Sequence, residues 1–106
     1  MNSVDQINQT IKEQPAVMLY FSAPTCNVCH ALKPKLTEAL TENFPAIEIV
    51  SIDISETPEI SAHYGVFAIP TLLIFLDGRE FLRKSRHMSV GEVVEAIRRP
   101  YQIMFS

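Results

Sequence analysis

The sequence predicts a three-layer α/β sandwich built around a small mixed β-sheet. Short apolar runs, typical of buried strands, alternate along the chain with stretches in which apolar residues recur every three or four positions, as on one face of a helix. The chain has 106 residues, 47% of them hydrophobic, so we expect a single domain over residues 1–106 that buries a core without disulfide cross-links. The predicted order of elements is α-β-α-β-α-β-β-α.

The N-terminal half is predicted to contain two helices and two strands. Residues 3–13 form an amphipathic pattern whose first residue, a serine, can cap the helix. The apolar run Ala16–Phe21 lies between two prolines and predicts a strand buried on both faces. Leucines recur every four residues within Thr25–Asn43, which predicts the second helix, and the β-branched segment Ala46–Ile52 predicts the second strand. Such a strand-helix-strand unit pairs its strands in parallel through a right-handed crossover.

The C-terminal half adds a short helix and an antiparallel hairpin. Pro58 suits the first position of the helix, and Gly65 is placed to end it. Thr71–Leu76 predicts a third buried strand. The dipeptide Asp77-Gly78 is typical of a hairpin turn, which leads into a fourth strand over Arg79–Ser85.

The last helix has a clear start. Ser89 and Glu92 have the spacing of a capping box, and Pro100 is expected to close the helix. The six residues that follow, 101–106, are too apolar for a frayed end. We expect this tail to pack back on the domain, although a dimer or partner contact remains an alternative.

Composition and charge limit the classes of function. The net charge is −3, which gives no reason to expect a nucleic-acid partner. The N-terminus lacks the basic start and apolar run of a signal peptide, and the apolar runs, Leu72–Leu76 among them, are too short to cross a bilayer. We therefore expect a cytoplasmic protein with no membrane contact. In that reducing compartment, paired cysteines more often catalyse or bind metal than cross-link a fold.

Cys26 and Cys29 are the strongest candidates for chemistry. They fall where the first strand leads into the second helix, and residues three apart on a helix have Cβ atoms about 5–6 Å apart, close to the span of a disulfide. Such a pair can open and close reversibly with little backbone movement. Cys26, at the helix N-terminus, should be the thiolate that attacks, because the helix dipole favours negative charge there. Cys29, one turn deeper, should resolve the mixed disulfide.

Other interpretations of the pair stay open. The cysteines could be half of a zinc site, but the three histidines, His30, His63 and His87, lack the short spacing of a zinc finger. With His30 the motif also reads Cys-x-x-Cys-His, the attachment signature of c-type haem, which would need export and normally a helical fold. The pair could also be two incidental core cysteines, or bind a metal or iron–sulfur cluster between two chains.

Two segments carry a family resemblance. FSAPTCNVCHALKPKL resembles the active-site segment of thioredoxins, with Pro34 five residues after the second cysteine. GVFAIPTLLIFLDGRE resembles the family's second signature and contains Ile69 and Pro70. The similarity extends over about residues 16 to 98. Two motifs at compatible spacing are a specific signal.

The resemblance implies a thioredoxin-like fold and a protein-disulfide oxidoreductase with Cys26 and Cys29 as its catalytic, redox-active disulfide. It also implies that the Ile69–Pro70 bond is cis, and that the backbone of Ile69 and the ring of Pro70 bind the extended substrate. The expected partners are disulfide-containing client proteins, with a reductase or low-molecular-weight thiol as electron donor. No cofactor or metal is implied, and we expect a monomer or weak dimer. The roles would be electron transport and cell redox homeostasis, in the reducing direction.

This sequence also departs from the family. Thr25 stands where thioredoxins usually have tryptophan, and Asn27-Val28 separates the cysteines. Tyr20 occupies the position of the family's buried aspartate, and Ile49 that of its paired lysine, so the usual proton relay is absent or relocated. We expect Tyr20 to be a core residue with a hydrogen-bonded hydroxyl.

Arg86 and His87 lie in the loop where the family has a glycine, and should alter the rim that faces the substrate. The family's first strand is also missing, so we expect four strands. A thioredoxin-fold binding or adaptor module with weak catalysis is therefore an alternative function.

Overall fold

A computed structural model describes residues 3–105. Its elements follow the predicted order: α1 Val4–Glu13, β1 Ala16–Ser22, α2 Asn27–Asn43, β2 Ile47–Asp53, α3 Pro58–Tyr64, β3 Thr71–Leu76, β4 Arg79–Ser85 and α4 Val90–Met104. Both strands of the predicted hairpin have the predicted bounds, β1 ends one residue later than predicted, and β2 both begins and ends one residue later. Residues 1, 2 and 106 lie outside the described residues, so the predictions for a domain over 1–106 and a tail over 101–106 extend beyond them.

The four strands form one mixed sheet in the order β2-β1-β3-β4. β1 pairs in parallel with β2 and antiparallel with β3, and β3 pairs antiparallel with β4. Asp77 and Gly78 both have positive φ, 54° and 79°, as a tight hairpin turn requires. The predicted four-stranded mixed sheet is confirmed.

Side chains of β1 divide the core into two halves, because successive residues of a strand point to opposite faces. Ala16, Met18 and Tyr20 pack against α2 and α4 on one face. The alternate residues of β1, from Val17 to Phe21, pack with α1 and α3 on the other. The sheet is thus covered on both faces, which gives the three layers. Within residues 3–105, no helix has the length and apolar character needed to cross a bilayer.

Two helix boundaries differ from the prediction. α2 begins at Asn27, two residues later than expected, because Cys26 is its N-cap and not part of its first turn. α4 continues through Pro100 to Met104, so the prediction that Pro100 ends it is wrong. A proline in this position removes one backbone hydrogen bond but leaves later turns free to form when packing supports them.

Aromatic packing supplies that support for the end of α4. Tyr101 is buried, with its ring centroid 4.8 Å from that of Phe44 and 4.4 Å from that of Phe105. Its hydroxyl accepts a hydrogen bond from the backbone N–H of Ala46 at 3.0 Å. Met104 packs against the same core, whereas Ile103 is 66% exposed. The expectation that the tail packs on the domain is therefore met by Tyr101 and Met104.

Candidate active site

The two cysteines lie where the chain passes from β1 to α2. The backbone N–H of Cys26 donates to the carbonyl of Ala23 at 3.0 Å, which closes the turn between the two elements. Cys26 is then the N-cap of α2, and Cys29 lies in its first turn. The two are joined by a disulfide bond with a Cα–Cα separation of 5.2 Å. The predicted proximity of the pair is confirmed.

The two sulfurs differ in their position relative to the N-terminus of α2. The Sγ of Cys26 accepts the backbone N–H of Cys29 at 3.2 Å, and it lies beside the positive end of the dipole of a 17-residue helix. Both effects favour negative charge on this sulfur when the disulfide is open. Cys26 is half-buried, whereas Cys29 is only 1% exposed. A partner molecule can therefore reach Cys26 far more easily than Cys29.

A groove of about 450 Å³ runs past Cys26. Its lining comes from three segments that are distant in sequence: Cys26, Asn27 and Val28 at the start of α2, Ile69 and Pro70 before β3, and Arg86 and His87 before α4. Three of the four sequence-predicted site residues, Cys26, Ile69 and Pro70, thus line one groove. The fourth, Cys29, is buried behind Cys26 and joined to it by the disulfide. The peptide bond between Ile69 and Pro70 is cis.

Hydrogen bonds hold the segment before β3 and the segment before α4 against each other. The backbone N–H of Arg86 donates to the carbonyl of Pro70 at 2.7 Å. The hydroxyl of Thr71 donates to the carbonyl of Ala68 at 2.7 Å and lies 2.9 Å from the hydroxyl of Ser85. Arg86 has a φ of +61°, a left-handed conformation that costs a residue with a Cβ about 1–2 kcal/mol. The surrounding bonds hold it there.

The inner side of the site is apolar. Tyr20 is fully buried, and its hydroxyl donates to the backbone carbonyl of Cys29 at 2.8 Å. Burial raises the pKa of Tyr20 above its ordinary value, so the phenol stays protonated at neutral pH and is no general base. Among residues 3–105 no Asp or Glu side chain is buried, so no carboxylate is buried beneath Cys29. The prediction that Tyr20 is a hydrogen-bonded core residue is confirmed.

The residues proposed for metal binding are dispersed. Within the described part of the chain, no group of three His, Cys, Asp or Glu side chains is arranged to hold a metal ion. His30 is exposed, and its Nε2 lies 3.0 Å from the carbonyl oxygen of Pro24, a hydrogen bond in the tautomer protonated at Nε2. Ile49, in the position of the family's lysine, is a partly buried apolar residue packed against the core.

Two exposed apolar side chains, one in the groove and one two residues before Ile69 in the chain, were not identified from the sequence. Val28 lines the groove and is 62% exposed, and Phe67, two residues before Ile69, is 89% exposed. Apolar residues of this size are usually buried in a core. The sequence carried one weak signal for Phe67, its position in a short loop between Gly65 and Pro70, where no strand or helix pattern can bury it.

Known proteins are similar to this chain in sequence and in fold. A family model described as Thioredoxin matches residues 2–99. The thioredoxin-like protein YdfQ of Bacillus subtilis (strain 168) is 34% identical over 103 residues, which are 97% of this chain and 91% of that protein. The thioredoxin of the same organism is 36% identical over 78 residues, 74% of this chain and 75% of that protein. The oxidized form of mitochondrial thioredoxin 3 from Saccharomyces cerevisiae is 24% identical and covers 92% of this chain and 90% of its own. With a TM-score of 0.81, it shares the fold.

Proposed function

Because the chain belongs to the thioredoxin family and is a thiol–disulfide oxidoreductase, we propose that it reduces disulfide bonds in proteins, with Cys26 as the attacking thiol. The thiolate of Cys26 attacks one sulfur of the substrate disulfide and forms a mixed disulfide, and the first substrate thiolate leaves and takes a proton from solvent. The thiolate of Cys29 then attacks the sulfur of Cys26. This step releases the second substrate thiolate and closes the Cys26–Cys29 disulfide, so two electrons have passed to the substrate.

One observation carries the assignment of roles. Cys26 combines access from the groove with a hydrogen bond from the N–H of Cys29 to its sulfur, whereas Cys29 is buried beneath it. The attacking thiol must meet a large partner in solution, and the resolving thiol must meet only its neighbour. The reverse assignment would require the substrate to enter the core.

Ile69 and Pro70 are proposed to bind the substrate chain. They line the groove together with Cys26 and lie just before β3, whose pairing in the sheet begins at Thr71. An extended peptide could pair with the backbone of Ile69 in the manner of strand addition, while Pro70 limits the approach of the substrate to Cys26. This would place the scissile disulfide against the Cys26 sulfur.

The wider setting follows from the reducing direction. We propose that residues 1–106 act as one unit in the cytoplasm, with disulfide-containing client proteins as substrates. A reductase or a low-molecular-weight thiol would reopen the Cys26–Cys29 disulfide after each cycle, since the cytoplasm keeps thiols reduced.

The apolar surroundings of Cys29 favour a second candidate function, a module that binds partners and catalyses weakly. The Tyr20 hydroxyl is committed to the Cys29 carbonyl, and the core beneath Cys29 holds no carboxylate among the described residues. Without a buried proton acceptor, formation of the Cys29 thiolate would be slow, and a module that binds partners with weak catalysis would result.

Reduction of a disulfide-linked protein such as insulin tests the proposed function. We expect Cys26→Ser to lower the rate to that of the thiol reductant alone, and Cys29→Ser to accumulate a mixed disulfide with the substrate, detectable by mass spectrometry. Ala62→Ser, at an exposed position on α3, introduces the same side chain on the helix that packs on the other face of the sheet and should leave the rate unchanged.

The direction of the reaction is tested by the reduction potential of the Cys26–Cys29 couple. A value near about −270 mV is expected of a reductase. A value near about −120 mV would contradict the reducing direction. Activity that survives in Cys26→Ser would contradict the assigned attack, and no activity in the unmodified protein would favour the binding module.

A further inference from the structure

The rim of the groove on the α4 side is basic. Of the seven residues that line the groove, Arg86 and His87 are the two that can carry a charge once the cysteines are joined, and neither is an acid. Within residues 3–105 the side chain of Arg86 takes part in no ion pair and no side-chain hydrogen bond. Its guanidinium is therefore available to a ligand.

Neighbouring charges do not neutralise this arginine. The nearest acid in sequence on the α4 side is Glu92, whose Oε1 accepts the backbone N–H of Ser89 at 3.2 Å and whose Oε2 lies 3.8 Å from the Nζ of Lys84. Glu92 is thus already engaged by the capping box of α4 and by Lys84. Among the described residues no carboxylate lies within 4 Å of the Arg86 guanidinium, and none of the residues that line the groove is acidic.

The backbone conformation of Arg86 also supports a functional role for its side chain. Its φ of +61° is a conformation that glycine adopts without strain and that an arginine adopts at a cost. A hydrogen bond from the Arg86 N–H to the carbonyl of Pro70 at 2.7 Å holds the backbone in place. Any residue at this position must therefore adopt the left-handed conformation. Strained backbone of this kind concentrates at functional sites, and here it holds a long cationic side chain beside the groove that leads to Cys26.

We propose that Arg86 is a specificity-determining residue that selects disulfide substrates with an acidic residue close to the reacting cysteine. The guanidinium presents a planar fork that matches a carboxylate, so it can hold an Asp or Glu side chain while Cys26 meets the disulfide. The proposal rests on the proposed function, since it requires attack by Cys26 on a peptide disulfide. It adds the chemical class of the preferred substrate.

Peptide substrates that differ only in charge test this selection. Three disulfide-linked peptides are prepared with Glu, Gln or Lys at the two positions flanking the cysteine, and kcat/KM for their reduction is measured at low and high salt. We expect the Glu peptide to be reduced about tenfold faster than the Lys peptide at low salt. The preference should shrink at high salt, because salt screens a partly exposed ion pair.

Two arginine variants test whether the preference for acidic peptides depends on Arg86 itself. Arg86→Gln should reduce the preference of the Glu peptide over the Lys peptide to less than about twofold. Arg99→Gln removes the same charge from an exposed position on α4 outside the groove and should keep the preference. Arg86→Gly should also lose the preference and should raise the urea midpoint of unfolding, since glycine relieves the left-handed conformation.

The outcomes separate the two proposals. Reduction of all three peptides at equal rates, or an unchanged preference in Arg86→Gln, would overturn the role of Arg86 and leave the proposed function standing. Equal loss of preference in Arg99→Gln would also overturn it, because the effect would then come from net charge. If none of the peptides is reduced, the proposed function fails together with this inference.

Discussion

Cys29 is 1% exposed and lies among apolar side chains with the hydroxyl of Tyr20 bound to its carbonyl, whereas Cys26, three residues earlier, borders a groove with two basic residues on its rim. The inner side belongs to the hydrophobic core, and the outer side belongs to the surface. The start of α2 therefore lies between two regions. The core around Cys29 stabilises the fold, and the groove beside Cys26 controls which substrates reach its sulfur. Substitutions on the inner side should lower the free energy of unfolding, and those on the outer side should change rates with little effect on stability.

The largest expected contrast is between Leu36→Ala and Val28→Ala, both on α2. Leu36 is fully buried in the core cluster that contains Cys29 and Tyr20, so its truncation should cost about 2–5 kcal/mol in the free energy of unfolding. Val28 is 62% exposed, and its truncation should change that free energy by less than about 0.5 kcal/mol. Urea unfolding of the oxidised proteins measures both. Similar losses in the two variants would show that the groove side is part of the core.

A smaller loss of stability is expected for Tyr20→Phe, which keeps the ring and removes the hydroxyl that donates to Cys29. The lost hydrogen bond should cost about 1–2 kcal/mol in the free energy of unfolding, because the carbonyl is left without this buried donor. The KM for disulfide substrates should not change, since the groove does not include Tyr20. Unaltered stability together with slower release of substrate from the mixed disulfide would instead identify Tyr20 as a proton carrier.

The smallest effect concerns alkaline pH. Burial raises the pKa of Tyr20 and of Tyr64 above the ordinary value near 10. The folded protein therefore holds these phenol protons more tightly than the unfolded chain does. Their contribution to stability is complete below pH about 10 and is lost as the pH rises above it.

Urea midpoints measured between pH 8 and 11 should fall at the alkaline end, and Tyr20→Phe should flatten that fall. Cys29, sealed in the disulfide of the oxidised protein, does not titrate in this experiment. Midpoints that rise with pH in this interval would contradict the sign.

Local sequence was enough for most of the fold. β3 and β4 have the predicted bounds, because an apolar run, an Asp77-Gly78 turn and a polar strand each carry their signal within a few residues. The capping box of Ser89 and Glu92 forms as its spacing predicts. The predicted end of α4 was wrong because the contact that decides it is not local. Whether a helix continues past Pro100 depended on burial of Tyr101 against Phe44, a residue far away in the chain.

The candidate site divides in the same way. The sequence by itself determined the Cys-x-x-Cys pair at a strand-to-helix junction, because spacing and helix geometry are local properties. It also indicated the order of attack, because the helix dipole acts on whichever residue begins the helix. Tertiary structure alone decided what surrounds the pair. The hydroxyl of Tyr20 reaches the carbonyl of Cys29 only when β1 packs on α2, and Arg86 reaches the groove only when its N–H bonds to Pro70. Contacts between distant segments depend on the assembled sheet and the helices packed on it, which no short stretch of sequence contains.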